Sequence, residues 1–272
     1  MLFSRGAHYK MEYAMCSMAT LAIEQVSVAV EDRTVVEDVS FAFHAEEVAI
    51  LMGPNGSGKS TLVNAIMGHP HYTVTNGALR IDGEDVLSLS PHEKAGKGLF
   101  LSLQHTPKVG GVTLTTFLHK VHTARTGVDI DVLEYYLSLR ELAKKLNIDD
   151  ALLDRPLSQG LSGGQKKLSE VLQFAALKPR FAILDEIDSG VDVDAMKAVF
   201  RAVETLRREG TGFLLISHHP SLLRHLAPSA VHLMAGGRLV RSAGKELAEE
   251  VYREGFCKAI ECPLEPSCRS KE

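Results

Sequence analysis

The sequence predicts an α/β fold in which a mixed core sheet carries an antiparallel β subdomain and an inserted helical subdomain. Three observations lead there. Gly53-Pro54-Asn55-Gly56-Ser57-Gly58-Lys59-Ser60-Thr61 fits the phosphate-binding pattern G-x-x-x-x-G-K-[ST]. Short apolar runs with strand character recur on both sides of it. From Thr113 to about Asp154 the strand signal stops and helical spacing replaces it.

In chain order, Leu21, Ile23, Val26, Val28 and Val30 alternate with polar residues and predict a strand, closed by a charged turn at Glu31-Asp32-Arg33. Thr34–Val36 and Val39–Phe43 read as two more short strands, which implies an antiparallel sheet. Val48–Met52 is an unbroken apolar run and predicts a buried strand. Leu62, Val63, Ala65, Ile66 and Met67 then give a helical stripe that stops at Gly68. Asn76-Gly77 and Asp82-Gly83 read as turns around a strand at Ala78–Ile81. Ser90 and Pro91 have the N-cap and N1 chemistry of a helix start. Leu99–Leu103 predicts a buried strand that ends at Gln104.

Inside the helical stretch, Val132, Tyr136, Leu139, Leu142 and Leu146 recur at helical spacing. The α/β pattern resumes with a strand at Phe181–Leu184 and a helix through Met196, Val199, Phe200, Val203 and Leu206. A strand at Phe213–Ile216, a short helix from Pro220 to about Leu226, and a hairpin turned by Gly236-Gly237 follow. The boundaries expected are a loose tail over 1–18, a folded domain over 19–256 with its helical subdomain near 108–178, and a second tail over 257–272.

Bulk composition excludes several classes. An apolar content of 45% is enough for a core, and a net charge of −4 provides no basic surface for nucleic acid. No run of about 18 apolar residues is present, so no direct membrane insertion is expected. Four cysteines without a CxxC spacing suit a reducing compartment, hence a cytoplasmic location.

The chemistry begins at the glycine loop. Strand, loop and helix start are the context in which successive backbone N–H groups form an anion nest reinforced by the helix dipole. Lys59 would reach the β- and γ-phosphates, and the Ser60 hydroxyl would hold Mg²⁺. Asp185 and Glu186 close an apolar strand. Beside a phosphate loop the first acid is placed to hold Mg²⁺ through water, and the second to activate the attacking water. A second anion-binding helix start lies at Leu161-Ser162-Gly163-Gly164-Gln165, with Ser162 as a side-chain donor.

Those residues resemble the ATP-binding cassette (ABC) family, whose signature is LSGGQ. The resemblance runs from about residue 20 to 256 and includes the glycine loop, Gln104, the signature, Asp185-Glu186, the Ser189-Gly190-Val191-Asp192 loop and His218. It implies an ATPase in which two copies pack head to tail, each ATP lying between one glycine loop and the other copy's signature. In that scheme Glu186 polarises water and His218 contacts the γ-phosphate. Gln104 senses Mg²⁺ and the water, while Asp192 communicates across the dimer. No aromatic residue near Val30 offers itself for stacking on adenine.

Within the family, Leu184-Asp185-Glu186-Ile187-Asp188-Ser189-Gly190-Val191-Asp192-Val193-Asp194-Ala195 is similar to the corresponding run of the Suf iron–sulfur assembly ATPases, the SufC type. That likeness implies soluble scaffold partners of the SufB/SufD kind, gripped through the helical lobe and the loop after Gln104. The alternatives are the ATPase subunit of a membrane transporter and a non-hydrolysing clamp. Gln165, Leu168, His219 and Gly110-Gly111 depart from the Suf pattern. Cys257, Cys262 and Cys268 lack a ferredoxin spacing and read as plain surface residues. His69-Pro70-His71 reads as a solvent-facing turn, and Lys166-Lys167 as charges that solvate the signature helix or meet phosphate.

Overall fold

A computed structural model describes residues 19–102, 110–157, 160–186, 193–217 and 226–260. A four-stranded antiparallel sheet contains β1 (Thr20–Val30), β2 (Arg33–His44), β4 (Thr73–Ile81) and β5 (Glu84–Asp85), in the order β2-β1-β4-β5. A six-stranded sheet contains β3 (Val48–Met52), β6 (Leu99–Ser102), β7 (Phe181–Asp185), β8 (Gly212–Ser217), β9 (Ala230–Ala235) and β10 (Arg238–Ala243), in the order β10-β9-β3-β8-β7-β6. Every pairing in the larger sheet is parallel except that of β10 with β9.

The larger sheet's central strands are covered on both faces, and β3, β7 and β8 are buried at every position. Val48, Ile50 and Met52 of β3 face one core with Ala182 and Leu184 of β7 and Phe213 and Leu215 of β8. The intervening Ala49, Leu51, Ile183, Leu214 and Ile216 face a second core shared with the antiparallel sheet and α1 (Lys59–Met67). The first core continues into the helical lobe. After the short α2 (Pro91–Gly96) and β6, α3 (Leu114–Thr126), α4 (Val132–Leu146), a 3₁₀ turn over Asp150–Asp154 and α5 (Gly163–Leu177) build that lobe before β7.

Four expectations change. The two strands expected at Thr34–Val36 and Val39–Phe43 are one strand, β2, paired with β1 through register shifts near Val26. Gln25 and Asp38 take left-handed φ of 51° each, and each one's N–H is taken up by a serine across the ladder. Gln25 N donates to Ser40 Oγ at 2.8 Å, and Asp38 N to Ser27 Oγ at 3.1 Å. The bulges let pairing continue where the alternation slips.

Asn76-Gly77 is not a turn but lies inside β4, where the ladder with β1 shifts register. A Cβ on Gly77 would lie 2.5 Å from Glu24 O, so close backbone approach explains the glycine. Asp82-Gly83 does form a turn, both residues having positive φ.

The buried column of α4 is Tyr135, Leu139, Ala143 and Leu146, whereas Val132 is 56% exposed. Ala143 carries little side chain to signal its face, which moved the expected stripe by one column. The folded part also extends past residue 256. After α6 (Val193–Arg208) and α7 (Lys245–Glu254), α8 spans Phe256–Ala259, and Ala259 is fully buried. Arg241 holds this end, donating to Glu250 Oε1 at 2.8 Å and Ala259 O at 2.9 Å. Cys257 is therefore an exposed residue of a packed helix. The expected helix after Pro220, the tail over 1–18, Cys262 and Cys268 lie outside the described residues.

Candidate functional site

The glycine loop leaves the C-terminal end of β3, central in the larger sheet, where open α/β sheets place ligands. Gly53 is forced by its neighbours: a Cβ there would lie 2.2 Å from Met234 O on β9. Gly58 is the N-cap of α1 with a left-handed φ of 98°, and no side chain caps that helix. The free N–H groups of the first turn and the helix dipole therefore point at the loop's concavity.

The loop is pinned from behind. Gly237 N, in the β9–β10 turn, donates to Ser57 O at 3.1 Å, and Gly237 O accepts from Glu37 N on β2 at 2.8 Å. One glycine thus ties the phosphate loop to the antiparallel sheet. Its own hydrogen is required, because a Cβ would meet Val35 O at 2.2 Å.

Lys59 is 8% exposed and its ammonium folds onto the loop. Nζ donates to Gly53 O at 2.8 Å, Pro54 O at 3.0 Å and Ser57 Oγ at 3.2 Å. Burial lowers its pKa, while the nearby charges of Asp185 and then Glu186 work against that shift. Those two acids are therefore close enough for Lys59 to feel them across the strand ends.

Asp185 is the last residue of β7 and is 2% exposed. Burial raises its carboxyl above the usual range; a side-chain hydrogen bond with Ser60 opposes the shift, and Glu186 adds to it. Its Oδ1 is buried with no hydrogen-bond partner among the described residues. An orphaned carboxylate oxygen beside a serine hydroxyl is what a hard divalent cation would use, so Ser60 and Asp185 fit such an ion. Glu186 follows with a left-handed φ of 50° while its N–H still bonds Ile216 O at 3.0 Å. The chain thus turns sharply as it leaves the sheet, an uncommon conformation for a non-glycine residue and one that recurs at functional sites.

The signature is built differently. Ser162 caps α5 and forms a capping box: Gln165 N donates to Ser162 Oγ at 3.2 Å, and Ser162 N donates to Gln165 Oε1 at 3.0 Å. Leu161 packs on the first core, whereas Ser162, Gly163 and Gln165 are exposed.

The structure thus brings together Gly53, Pro54, Asn55, Gly56, Ser57, Gly58, Lys59, Ser60, Thr61, Asp185 and Glu186 around one loop. It sets Leu161 to Gln165 on the helical lobe. Gln104, Asp192 and His218 lie outside the described residues. One reading is corrected, at the signature helix, while the turn at His69-Pro70-His71 faces solvent as expected. Lys167 does not merely solvate α5 but turns inward to Glu170 at 2.8 Å, its side chain 13% exposed. His69 and His71 are exposed, and no metal-binding cluster exists among the described residues. Sequence reasoning missed Ser102, Glu170 and the walls at Met234 and Gly237. Apolar periodicity holds no signal for polar residues at a seam.

With this geometry in place, comparison supplies the class. Residues 36–189 match the family described as ABC transporter, and the chain belongs to that family as its ATP-hydrolysing, ATP-binding cassette. It is 41% identical over 240 residues to vegetative protein 296 of Bacillus subtilis, covering 88% of this chain and 92% of that one. A probable ABC transporter ATP-binding protein of Streptococcus pyogenes is 39% identical, with 88% of this chain and 94% of that one covered. The probable ATP-dependent transporter SufC of Escherichia coli is 37% identical, with 87% and 97% covered. The fold is shared with an ATP-binding cassette of an ABC transporter at a TM-score of 0.73 and 24% identity, covering 92% of this chain and 100% of that one. No helix among the described residues is long and apolar enough to cross a membrane.

Proposed function

We propose that this chain is the ATPase of a Suf-type iron–sulfur assembly machine, hydrolysing ATP in a head-to-tail dimer to change the shape of a scaffold. The observation that carries the dimer is the separation of its two anion-binding helix starts. The loop before α1 is uncapped and lined by Lys59, Ser60, Asp185 and Glu186, whereas Ser162 caps a helix of the helical lobe whose first turn holds no acid. A second copy's Ser162 to Gln165 would complete the phosphate site.

In this reading Lys59 leaves its own carbonyls to meet phosphate oxygens. Glu186 orients and deprotonates the attacking water, while Gln104 and His218 approach from their loops and Asp192 bears on the other copy. Mg²⁺, held through Ser60 and Asp185 with Gln104, would neutralise charge on the transferring phosphoryl group. Ser162 can cap α5 and still donate its own proton, because a hydroxyl is both acceptor and donor.

The Leu184–Ala195 run and the likeness to the Escherichia coli relative favour scaffold partners of the SufB/SufD kind, reached through the helical lobe in the cytoplasm. A second reading, a transporter's ATPase subunit, is favoured by the name given to the Streptococcus relative. Affinity capture of the chain from its own cells, with membranes included, separates the two. Soluble scaffold proteins support the first reading, and permeases sink it. Glu186→Gln should cut turnover by about a thousandfold while ATP binding persists. Unchanged turnover would remove Glu186 from the mechanism.

A further inference from the structure

β6 ends at Ser102, paired beside Leu184, and Leu184 precedes Asp185. Ser102 is 4% exposed and its hydroxyl donates to Glu170 Oε2 on α5 at 2.8 Å. Lys167 Nζ donates to the same oxygen at 2.8 Å. The Lys167 and Glu170 side chains are only 13% and 14% exposed. A carboxylate withdrawn this far from water is costly unless charge-assisted bonds hold it.

Cohesion between α5 and β6 does not need that trio, since Phe100 and Phe174 already meet edge to face across the same seam, 6.1 Å between centroids. What the trio adds is direction, because hydrogen bonds fix one register where apolar contact tolerates sliding. Lys167 also acts on Asp185 itself, favouring its charged form. At its other end α5 begins with Ser162, eight residues before Glu170, or about 12 Å of helix.

We propose that Glu170 is a positioning residue in a strut of α5, Glu170 and Ser102, which carries engagement of Ser162 to the chain's own strand ends at Ser102 and Asp185. The strut rests on the head-to-tail reading in one respect: Ser162 meets the nucleotide held by the other copy. Each ATP in the dimer then adjusts the acid that serves its neighbour, and the two sites fire in concert.

Steady-state ATP hydrolysis by the full chain, paired with the Kd for a fluorescent ATP analogue, tests this. Ser102→Ala and Glu170→Gln should each lower kcat about tenfold, the scale of one hydrogen bond to a charged group, with Kd within about twofold. Ser102→Thr keeps the hydroxyl and should recover kcat to within about twofold. Ser102→Ala combined with Glu170→Gln should be no worse than either alone, because both cut one link.

The deciding comparison joins Ser102→Ala to Ser162→Ala. Independent sites this far apart multiply within about a factor of two. A strut predicts a combined loss at least about threefold smaller than the product. Losses that multiply, a kcat untouched by Ser102→Ala, or a loss confined to Kd would overturn the strut alone. A Ser162→Ala enzyme at the wild-type rate would instead sink the head-to-tail reading, and the strut with it.

Discussion

The two helix starts proposed to meet phosphate are prepared in opposite ways. At α1 no side chain caps the first turn, Gly58 opens it, and a buried ammonium waits on carbonyls of the same loop. At α5 the first turn is already capped by Ser162 and Gln165, and the residues are exposed. The first site is costly to leave empty, because Asp185 is buried there with Oδ1 unpartnered among the described residues. The second costs nothing to leave idle. On the proposed head-to-tail reading, the site that binds nucleotide in the single chain is kept open, and the one that would meet it only on assembly is kept satisfied.

Mutations can break that contrast. Lys59→Ala should weaken ATP binding to the single chain by about 10- to 100-fold, the scale of lost charge-assisted hydrogen bonds, as read by calorimetry. Ser162→Ala should leave that binding constant alone, cost about 1 kcal/mol of stability through the lost cap, and slow turnover. Equal losses of single-chain binding in both variants would erase the distinction.

A histidine on the neighbouring strand sharpens it from another side. His232 on β9, beside Leu51 of the loop's own strand, is stacked on Phe41 with Nδ1 at 2.9 Å from Ser242 Oγ. Its Nε2 is buried without a partner among the described residues, and burial lowers its pKa to about 4. The folded state resists the proton that the unfolded chain takes up below about pH 6.5, so stability should fall between pH 6.5 and about 4. The full span corresponds to about 3 kcal/mol at most. The denaturant midpoint of wild type should fall relative to that of His232→Leu as the pH drops from 6.5 toward 4, and parallel profiles would acquit this histidine.

Asp185→Asn should give the smallest stability effect. Because burial raises the pKa of Asp185, its charge opposes folding once the pH exceeds the ordinary carboxylate range. Neutralising it should raise the unfolding temperature of the nucleotide-free protein modestly at pH 7 while abolishing cation-dependent hydrolysis, a stability gained at the expense of function. A lowered unfolding temperature would mean that the Ser60 bond outweighs the burial.

Much of this was legible in the sequence because its signals are local. The loop from Gly53 to Thr61 announces itself by residue type and spacing, and so do Ser90-Pro91 and the apolar runs of β3, β7 and β8. Where the reading slipped, the cause was a long-range partner. Asn76-Gly77 has the composition of a turn, yet it is fixed inside a strand by the backbone of Glu24. Ala143 is core only because α4 is packed on the lobe's other helices. Ser102 and Glu170 are separated by 68 positions, and neither carries a pattern that names the other. Capping could be inferred at Ser162 from Gln165 three residues on, while the opposite preparation of the two helix starts needed coordinates.

The walls of the phosphate loop have one more consequence, for the order of events on the ribosome. Residues 53–61 are made long before their walls, because Gly53 rests against Met234 and Ser57 is fastened through Gly237, both far downstream. A nascent chain can carry the complete glycine motif while still lacking the surface that shapes it. Such long-range closure forms late. ATP binding should therefore appear only once β9 and β10 have emerged, so nucleotide capture reports that the second half of the sheet has been made.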